Sequence, residues 1–590
     1  MFTNLLDKID FVRKIFINTL FIIFLLIFFL VLIITPFMSK TVNTQDSILL
    51  LDASTQMQES SPLSGSVGLS NFQIVETIEL ATKDDDISLI LMDTSLMNLS
   101  ATDAIEIGEA LNNFKSKGKK VISYGDFYFQ NQYLLASYSD EIILNPFGLV
   151  YLEGYKNYRF YLKEALNKID VNINTFIAGD YKSAAEIFTN SSMSEDSKKE
   201  SERFLTSLWE KWKFVVSNNR DTKLSINIQN YIDDIGNLIS NSNKKGSNLA
   251  TDFGLVDSIM NRSDMEEYIF SITNNKKEYF LNFYEYIQVN EPAASENKIA
   301  LIDAKGEIVD GDFYDNELSS GHFSRLINRV KNGDYRGLLI RLNTPGGSGF
   351  ASEIIRQEII ELKDSGIPVI ISMADIATSG GYWISADANE IWASDFSLTG
   401  SIGVWTALPD FNEGLKNIGI NYDGVSTTDF NPSLINGPDD NTKLLIQNVV
   451  NSAYEFFLEI VAEGRNMDKS FAKKIAEGKI WSSEEAKDLN LIDEIGSQRE
   501  SLNRLAELSN LKEYSVELIE EDISVFDQIG YYFADFLPKS IENKIFSTVN
   551  LSVPSYLLTK NEAPFPVNMI CLECLCLLYT SDAADERLSV

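Results

Sequence analysis

Short apolar runs alternate with amphipathic stretches over most of this chain. Leu338-Leu339-Ile340-Arg341-Leu342 and Val369-Ile370-Ile371 are too short for buried helices and read as buried strands. Between them Ile354, Ile355, Ile359, Ile360 and Leu362 recur at near-helical spacing. Strand–helix–strand alternation predicts an α/β fold with a largely parallel sheet flanked by helices. Earlier, Phe204, Leu208, Trp212 and Val215 form an apolar stripe on a long helix, which reads as core or oligomer contact rather than a ligand site.

One run has a different character. Ile15 to Phe37 spans 23 residues, and Leu20 to Ile34 is apolar without a break. At 1.5 Å per residue this reaches across a bilayer core of about 30 Å. It is too long for a signal-peptide core, and no small-x-small cleavage site follows. Lys8, Arg13 and Lys14 lie on its amino side, which keeps the N-terminus cytoplasmic. The expectation is a single-pass protein of a bacterial inner membrane, held in the bilayer by residues 15–37, with its body in the periplasm.

Self-comparison shows an internal repeat. Ser47-Ile48-Leu49-Leu50-Leu51-Asp52-Ala53 returns as Lys298-Ile299-Ala300-Leu301-Ile302-Asp303-Ala304. Val121-Ile122-Ser123 matches Ile370-Ile371-Ser372, and the same spacing carries Tyr133 to Tyr382 and Asp140-Glu141-Ile142 to Asn389-Glu390-Ile391. Phe253-Gly254-Leu255-Val256-Asp257 answers Leu489-Asn490-Leu491-Ile492-Asp493. The segments are then an N-terminus and anchor (1–40), a first copy (45–290), a second copy (297–515) joined near Glu291-Pro292-Ala293-Ala294, and an extension (516–560). Residues 561–590 read as an artefactual tail: the string from Tyr579 to Glu586 looks like translated sequencing adapter. A Cys-x-x-Cys site at Cys571 and Cys574 is the weaker reading.

Composition narrows the chemistry. The 590 residues carry 50 Lys+Arg against 85 Asp+Glu, a formal charge of −35. Nucleic acid is excluded as a partner, because phosphate neutralisation needs clustered cations. His322 is the single histidine, and the three cysteines, Cys571, Cys574 and Cys576, all lie near the end. Zinc and iron sites need more such ligands, so no metal and no cofactor are expected. A general base must be Asp, Glu, Lys, Tyr or His322, and His322 reads as a surface or loop residue.

Three segments of the second copy carry candidate chemistry. Asn343-Thr344-Pro345-Gly346-Gly347-Ser348-Gly349 follows a strand, and its glycines let backbone N–H groups approach a ligand. Ala377-Thr378-Ser379-Gly380-Gly381-Tyr382-Trp383 follows the next strand and opens a helix. The N–H of Gly380, with one from Gly346 or Gly347, could form an oxyanion hole. Leu398-Thr399-Gly400-Ser401-Ile402-Gly403 would be a nearby turn whose Ser401 orients a base. The first copy offers Gly179-Asp180-Tyr181-Lys182-Ser183-Ala184-Ala185, and burial can leave a lysine as a neutral amine. Where the second copy has Ser379-Gly380-Gly381, the first has Gln130-Asn131-Gln132. Opposite Lys182 the second copy reads around Asp429-Phe430-Asn431, with no lysine. Each copy thus keeps one half of a dyad, and the site lies between them.

Together these segments resemble signal peptide peptidase A in its long duplicated form, also called protease IV. The resemblance runs from the anchor to about residue 515. It implies two tandem Clp protease/crotonase-like domains and a Ser–Lys dyad, with Ser379 as nucleophile and Lys182 as base. It implies a membrane-anchored homo-oligomer, a tetramer, and apolar peptides such as signal-peptide remnants as substrates. Ser401 and Ser183 are candidate orienters of the dyad. The rival readings are an inactive membrane scaffold and a crotonase-like acyl-CoA enzyme.

Overall fold

The computed structural model of the chain describes residues 47–55, 68–242, 245–273, 279–290, 295–312, 317–425 and 437–520. It also describes Arg13, Lys14, Asn18, Thr19, Phe21, Ile22, Thr427, Ile435 and Asn568–Ile570. Most of the apolar run at 15–37 therefore lies outside the described residues, among which no helix is long and apolar enough to cross a membrane. The joining segment 291–294, the Asp429–Asn431 counterpart of Lys182, residues 521–560 and all three cysteines also lie outside them.

The first copy contributes β1 (Ser47–Leu51), β2 (Ile87–Asp93), β3 (Lys120–Gly125), β4 (Glu141–Leu144), β5 (Asn172–Ala178), β6 (Ser258–Ile259) and β7 (Phe280–Asn282). All but β5 form one parallel sheet in the order β6-β4-β3-β2-β1-β7. The second copy begins with β8 (Lys298–Lys305), β9 (Ile308–Val309), β10 (Leu318–Ser319), β11 (Tyr335–Thr344), β12 (Gly346–Ser348) and β13 (Val369–Thr378). It continues with β14 (Glu390–Ala393), β15 (Leu398–Gly400), β16 (Val404–Asp410), β17 (Ile480–Ser482), β18 (Glu494–Ile495) and β19 (Ser515–Leu518). Its parallel pairings run β18-β14-β13-β11-β8-β19, the same path strand for strand as the first sheet. The repeat read from the sequence is thus a repeat of topology.

The matched strings meet in space. Asp257 accepts the Ile142 N–H at 2.8 Å, and Asp493 accepts the Ile391 N–H at 2.7 Å. The Tyr133 hydroxyl donates to the Leu255 carbonyl at 2.8 Å, and Tyr382 donates to that of Leu491 at 2.7 Å. Arg220 pairs with Asp257 as Arg465 pairs with Asp493.

Both predicted central strands form, as β11 and β13, and their middles are fully buried: Ile340 and Ile371 are each 0% exposed. Each such side chain contributes about 1.5–3 kcal/mol by leaving water. Helices cover the sheets. Two of them are α1 (Ala101–Ser116) and α2 (Glu195–Asn219), both in the first copy. Ser194 caps α2 by accepting from the Ser197 N–H. The stripe Phe204, Leu208 and Trp212 is buried in the core of its own copy, with Val216 completing it and Val215 half-buried. Trp212 packs on Tyr133 with ring centres 6.4 Å apart, so the stripe is core. In the second copy, α3 (Gly349–Asp364) turns Ile355, Ile359 and Leu362 inward and leaves Ile354 outside.

A third sheet joins the copies. β5 pairs antiparallel with β16 over seven residue pairs, from Val404 opposite Ala178 to Asp410 opposite Asn172. Beside it lies β20 (Asn568–Ile570), antiparallel to β12 and also touching β16 at Trp405. Then follow β12, β9 and β10.

Candidate active site

Parallel strands end at the same edge of a sheet, so the loops after β11 and β13 are neighbours. The Thr378 hydroxyl donates to the Pro345 carbonyl at 3.1 Å and ties the loops together. Between β13 and the short helix α4 (Gly380–Ser385) the chain turns sharply at Ser379, with φ 58° and ψ −114°. Its N–H is held by the Gly400 carbonyl at 2.7 Å, and its side chain is fully buried.

Lys182 reaches this serine from the first copy. It follows β5, and the β5–β16 ribbon carries it across. The loop is pinned by Glu477, whose carbonyl accepts the Tyr181 N–H at 2.7 Å and whose carboxylate accepts the Asp180 N–H at 3.1 Å. Gly478 lies against the Lys182 backbone: at φ +82° it takes the left-handed region, and a Cβ there would stand 2.6 Å from the Lys182 nitrogen. The lysine is 4% exposed. Its Nζ lies 2.8 Å from Ser379 Oγ, 3.0 Å from the Ser401 carbonyl and 3.0 Å from Ser401 Oγ. These three oxygens can be served by three N–H groups or, in the neutral amine, by two N–H groups and a lone pair turned to Ser379. Ser401 presents both oxygens because its own backbone is bent to φ 50°, with its N–H on the Lys479 carbonyl at 2.6 Å.

Gly380 and Gly347 bring two amides close. The Gly347 nitrogen is 3.3 Å from where a Cβ on Gly380 would sit, and a Cβ on Gly347 would fall 2.0 Å from the Ile308 carbonyl oxygen. No side chain fits between β12 and β9 there. The Gly346 N–H donates to Thr344 Oγ1 at 3.1 Å. Ser183 lines a 310 Å³ cavity with Tyr181, Lys182, Glu186 and Phe204. His322 is half-buried in the first turn of a helix rather than on a loop, and takes no part in these contacts. Glu477 and Gly478 were not singled out from sequence, and Gly403 entered only as the end of the segment that carries Ser401. A Cβ on Gly403 would stand 3.3 Å from the Lys182 Cδ, so the lysine stem runs past it. The only local signal was the isolated Glu477-Gly478.

The sequence profile of Peptidase family S49 matches the chain twice, over residues 113–267 and 361–512. The chain belongs to peptidase family S49. Protease 4 of Haemophilus influenzae is 34% identical over 86% of this chain and 85% of its own length. Protease 4 of Salmonella typhi is 32% identical over 83% and 79%. A putative signal peptide peptidase SppA of Enterococcus faecium is 30% identical over 40% of this chain and 71% of its own. Among solved structures, a serine-to-alanine mutant of the 1510-N membrane-bound stomatin-specific protease matches at a TM-score of 0.26 and 17% identity, covering 39% of this chain and all of that one. As a long, duplicated S49 member similar to Protease 4, the chain is a serine peptidase.

Proposed function

We propose that this S49 peptidase cleaves apolar peptides with a Ser379–Lys182 dyad completed across its two copies. The observation that carries the reading is the 2.8 Å separation of Lys182 Nζ and Ser379 Oγ, two residues 197 positions apart. Lys182 enters as the neutral amine. Its lone pair takes the Ser379 proton while Oγ attacks the scissile carbonyl carbon. The N–H groups of Gly380 and Gly347 receive the oxyanion, each donor being worth about 3 kcal/mol of barrier. Lys182 then passes its proton to the leaving amine. Water attacks the acyl-serine, Lys182 takes and returns one proton, and the acid product leaves.

Two further features support a peptide substrate. The tail strand β20, although part of the stretch read as artefactual, adds antiparallel to β12 and touches β16, the manner in which an extended peptide adds to a free strand edge. Similarity to a protein named for signal peptides supports signal-peptide remnants as the substrate class. The apolar run at 15–37 supports a single-pass anchor in a bacterial inner membrane, with the body periplasmic. The homotetramer of two-domain Clp protease/crotonase-like chains rests on the family resemblance alone.

The test uses the full chain in detergent and a fluorogenic peptide with an apolar residue before the bond. Ser379→Ala and Lys182→Ala are each expected to lower kcat by about 10³-fold or more, with unchanged circular dichroism. Full activity in Lys182→Ala would remove the base from the scheme. A folded parent inert on a panel of apolar peptides would leave an inactive scaffold. Carbonate extraction that frees the full chain from bacterial membranes would refute the anchor.

A further inference from the structure

The strand that leads to Ser379 runs on through an irregularity. In the first copy the pairing of β2 with β3 ends at Asp93 opposite Tyr124, the place that matches Leu342 opposite Met373. In the second, Leu342 pairs with Met373 and Thr344 with Ala377, so Asn343 alone faces Ala374, Asp375 and Ile376. β13 therefore carries a bulge, and Ser379 lies two residues past the point where regular pairing resumes. Bulges of this kind re-aim the side chains that follow them.

Two side chains fill the bulge. Asn343 Oδ1 accepts the Ile376 N–H at 3.1 Å, and its Nδ2 donates to Asp375 Oδ2 at 3.4 Å. The other oxygen, Asp375 Oδ1, accepts the Thr102 N–H at 3.3 Å. Thr102 belongs to the first turn of α1, where N–H groups have no partner within the helix. One carboxylate thus fixes the bulge to the strand beside it and to the helix of the other copy. Asn343 is also followed directly by Thr344-Pro345-Gly346-Gly347, so the same contacts set the glycine loop against the serine.

A second contact between the copies lies one turn further along α1. Glu106 accepts from Arg341 Nη2 at 2.8 Å and from the Gln498 N–H at 3.0 Å, and both side chains of the pair are nearly fully buried. It holds the copies together at the regularly paired part of β11, before the bulge.

We propose that Asp375, through Asn343 and Thr102, is a positioning residue of the peptidase reaction that sets the height of Ser379 against the Gly346–Gly347 loop and against the copy that supplies Lys182. The inference rests on the reading of Ser379 as nucleophile. The buried Glu106 pair holds the domains, whereas Asp375 aims the serine.

The hydrogen-bond pattern supplies its own test. Asp375→Asn turns an amide donor toward the Asn343 donor, and Asn343→Asp sets two carboxylates face to face. The exchange Asp375→Asn with Asn343→Asp restores every bond. The amide now at position 375 would accept from Thr102 and donate to the carboxylate now at position 343, which would accept from Ile376. Full-length variants are assayed for kcat and KM on the fluorogenic peptide, for labelling rate by a fluorophosphonate, and for thermal midpoint. Each single variant is expected to lower kcat and the labelling rate by about 10²-fold, the cost of a misplacement near 1 Å, with KM within threefold. The exchange is expected to recover both rates to within about fivefold, the residue of an imperfect refit. Glu106→Gln, which breaks the buried pair, is expected to lower the midpoint while leaving kcat at the assay temperature unchanged. Rates that follow the thermal midpoint alike in Glu106 and Asp375 variants, or an exchange that recovers nothing, would overturn the positioning role. Activity that survives Ser379→Ala would overturn the nucleophile and this inference with it. Activity that dies in Ser379→Ala but is untouched in Asp375→Asn would overturn this inference alone.

Discussion

Ser379 is held at φ 58° and ψ −114°, a sparsely populated region that costs about 1–3 kcal/mol. The cost is met by the Gly400 carbonyl on its N–H and by the Thr378–Pro345 tie that precedes it. Removing the Cβ should release it. Ser379→Gly is expected to be more stable than Ser379→Ala by about 1 kcal/mol, read from urea unfolding of the two inactive chains. Equal stabilities would mean the turn is unstrained. That Ser379 and Lys182 lie together was legible in the sequence, where neither the Gln130–Gln132 stretch nor the Asp429–Asn431 stretch repeats the other copy's residue. Ser401 was legible only as a neighbour: its use of two oxygens depends on a backbone angle that no residue pattern encodes. Asp375 left no trace, since a bulge is a count of residues between two strands and one strand cannot be counted against another before they pair.

The repeated locks act at the scale of elements. The Arg220 side chain is 1% exposed against 7% for Arg465, and Asp257 is 20% exposed against 37% for Asp493. Stranding a buried carboxylate costs more than stranding a wetter one. Arg220→Ala is expected to cost about 3–5 kcal/mol and Arg465→Ala clearly less, by chemical denaturation. Burial opposes ionisation of Asp257, but hydrogen bonds from Arg220 and Lys223 outweigh it and hold the carboxyl below its ordinary value. Its stabilising share is therefore complete above the unfolded value of about 4 and is lost as pH falls through the lower folded one. Asp257→Asn should flatten that part of the acid limb. The two strings meeting in each lock were visible as repeats. Their arginines were not, because each lies outside the copied stretch and is identified only by the helix end that delivers it.

At the scale of the molecule, the β5–β16 ribbon makes one site from two sheets. Both halves of the proposed dyad come from a single chain, so mixing Ser379→Ala chains with Lys182→Ala chains should restore no activity after subunit exchange, on the fluorogenic assay. Recovery would mean that the halves can be shared between chains. The closeness of Lys182 to Ser379 was suggested in the sequence by the blank that each copy shows at the other's residue. The ribbon was not, since β5 has no partner until a strand more than 200 residues later arrives. This division also has a genetic reading. A duplication normally leaves a spare that is free to decay, but with the proposed dyad neither copy is a spare. The two would then behave as complementing alleles fused in one reading frame, and deleting either half would leave no active site.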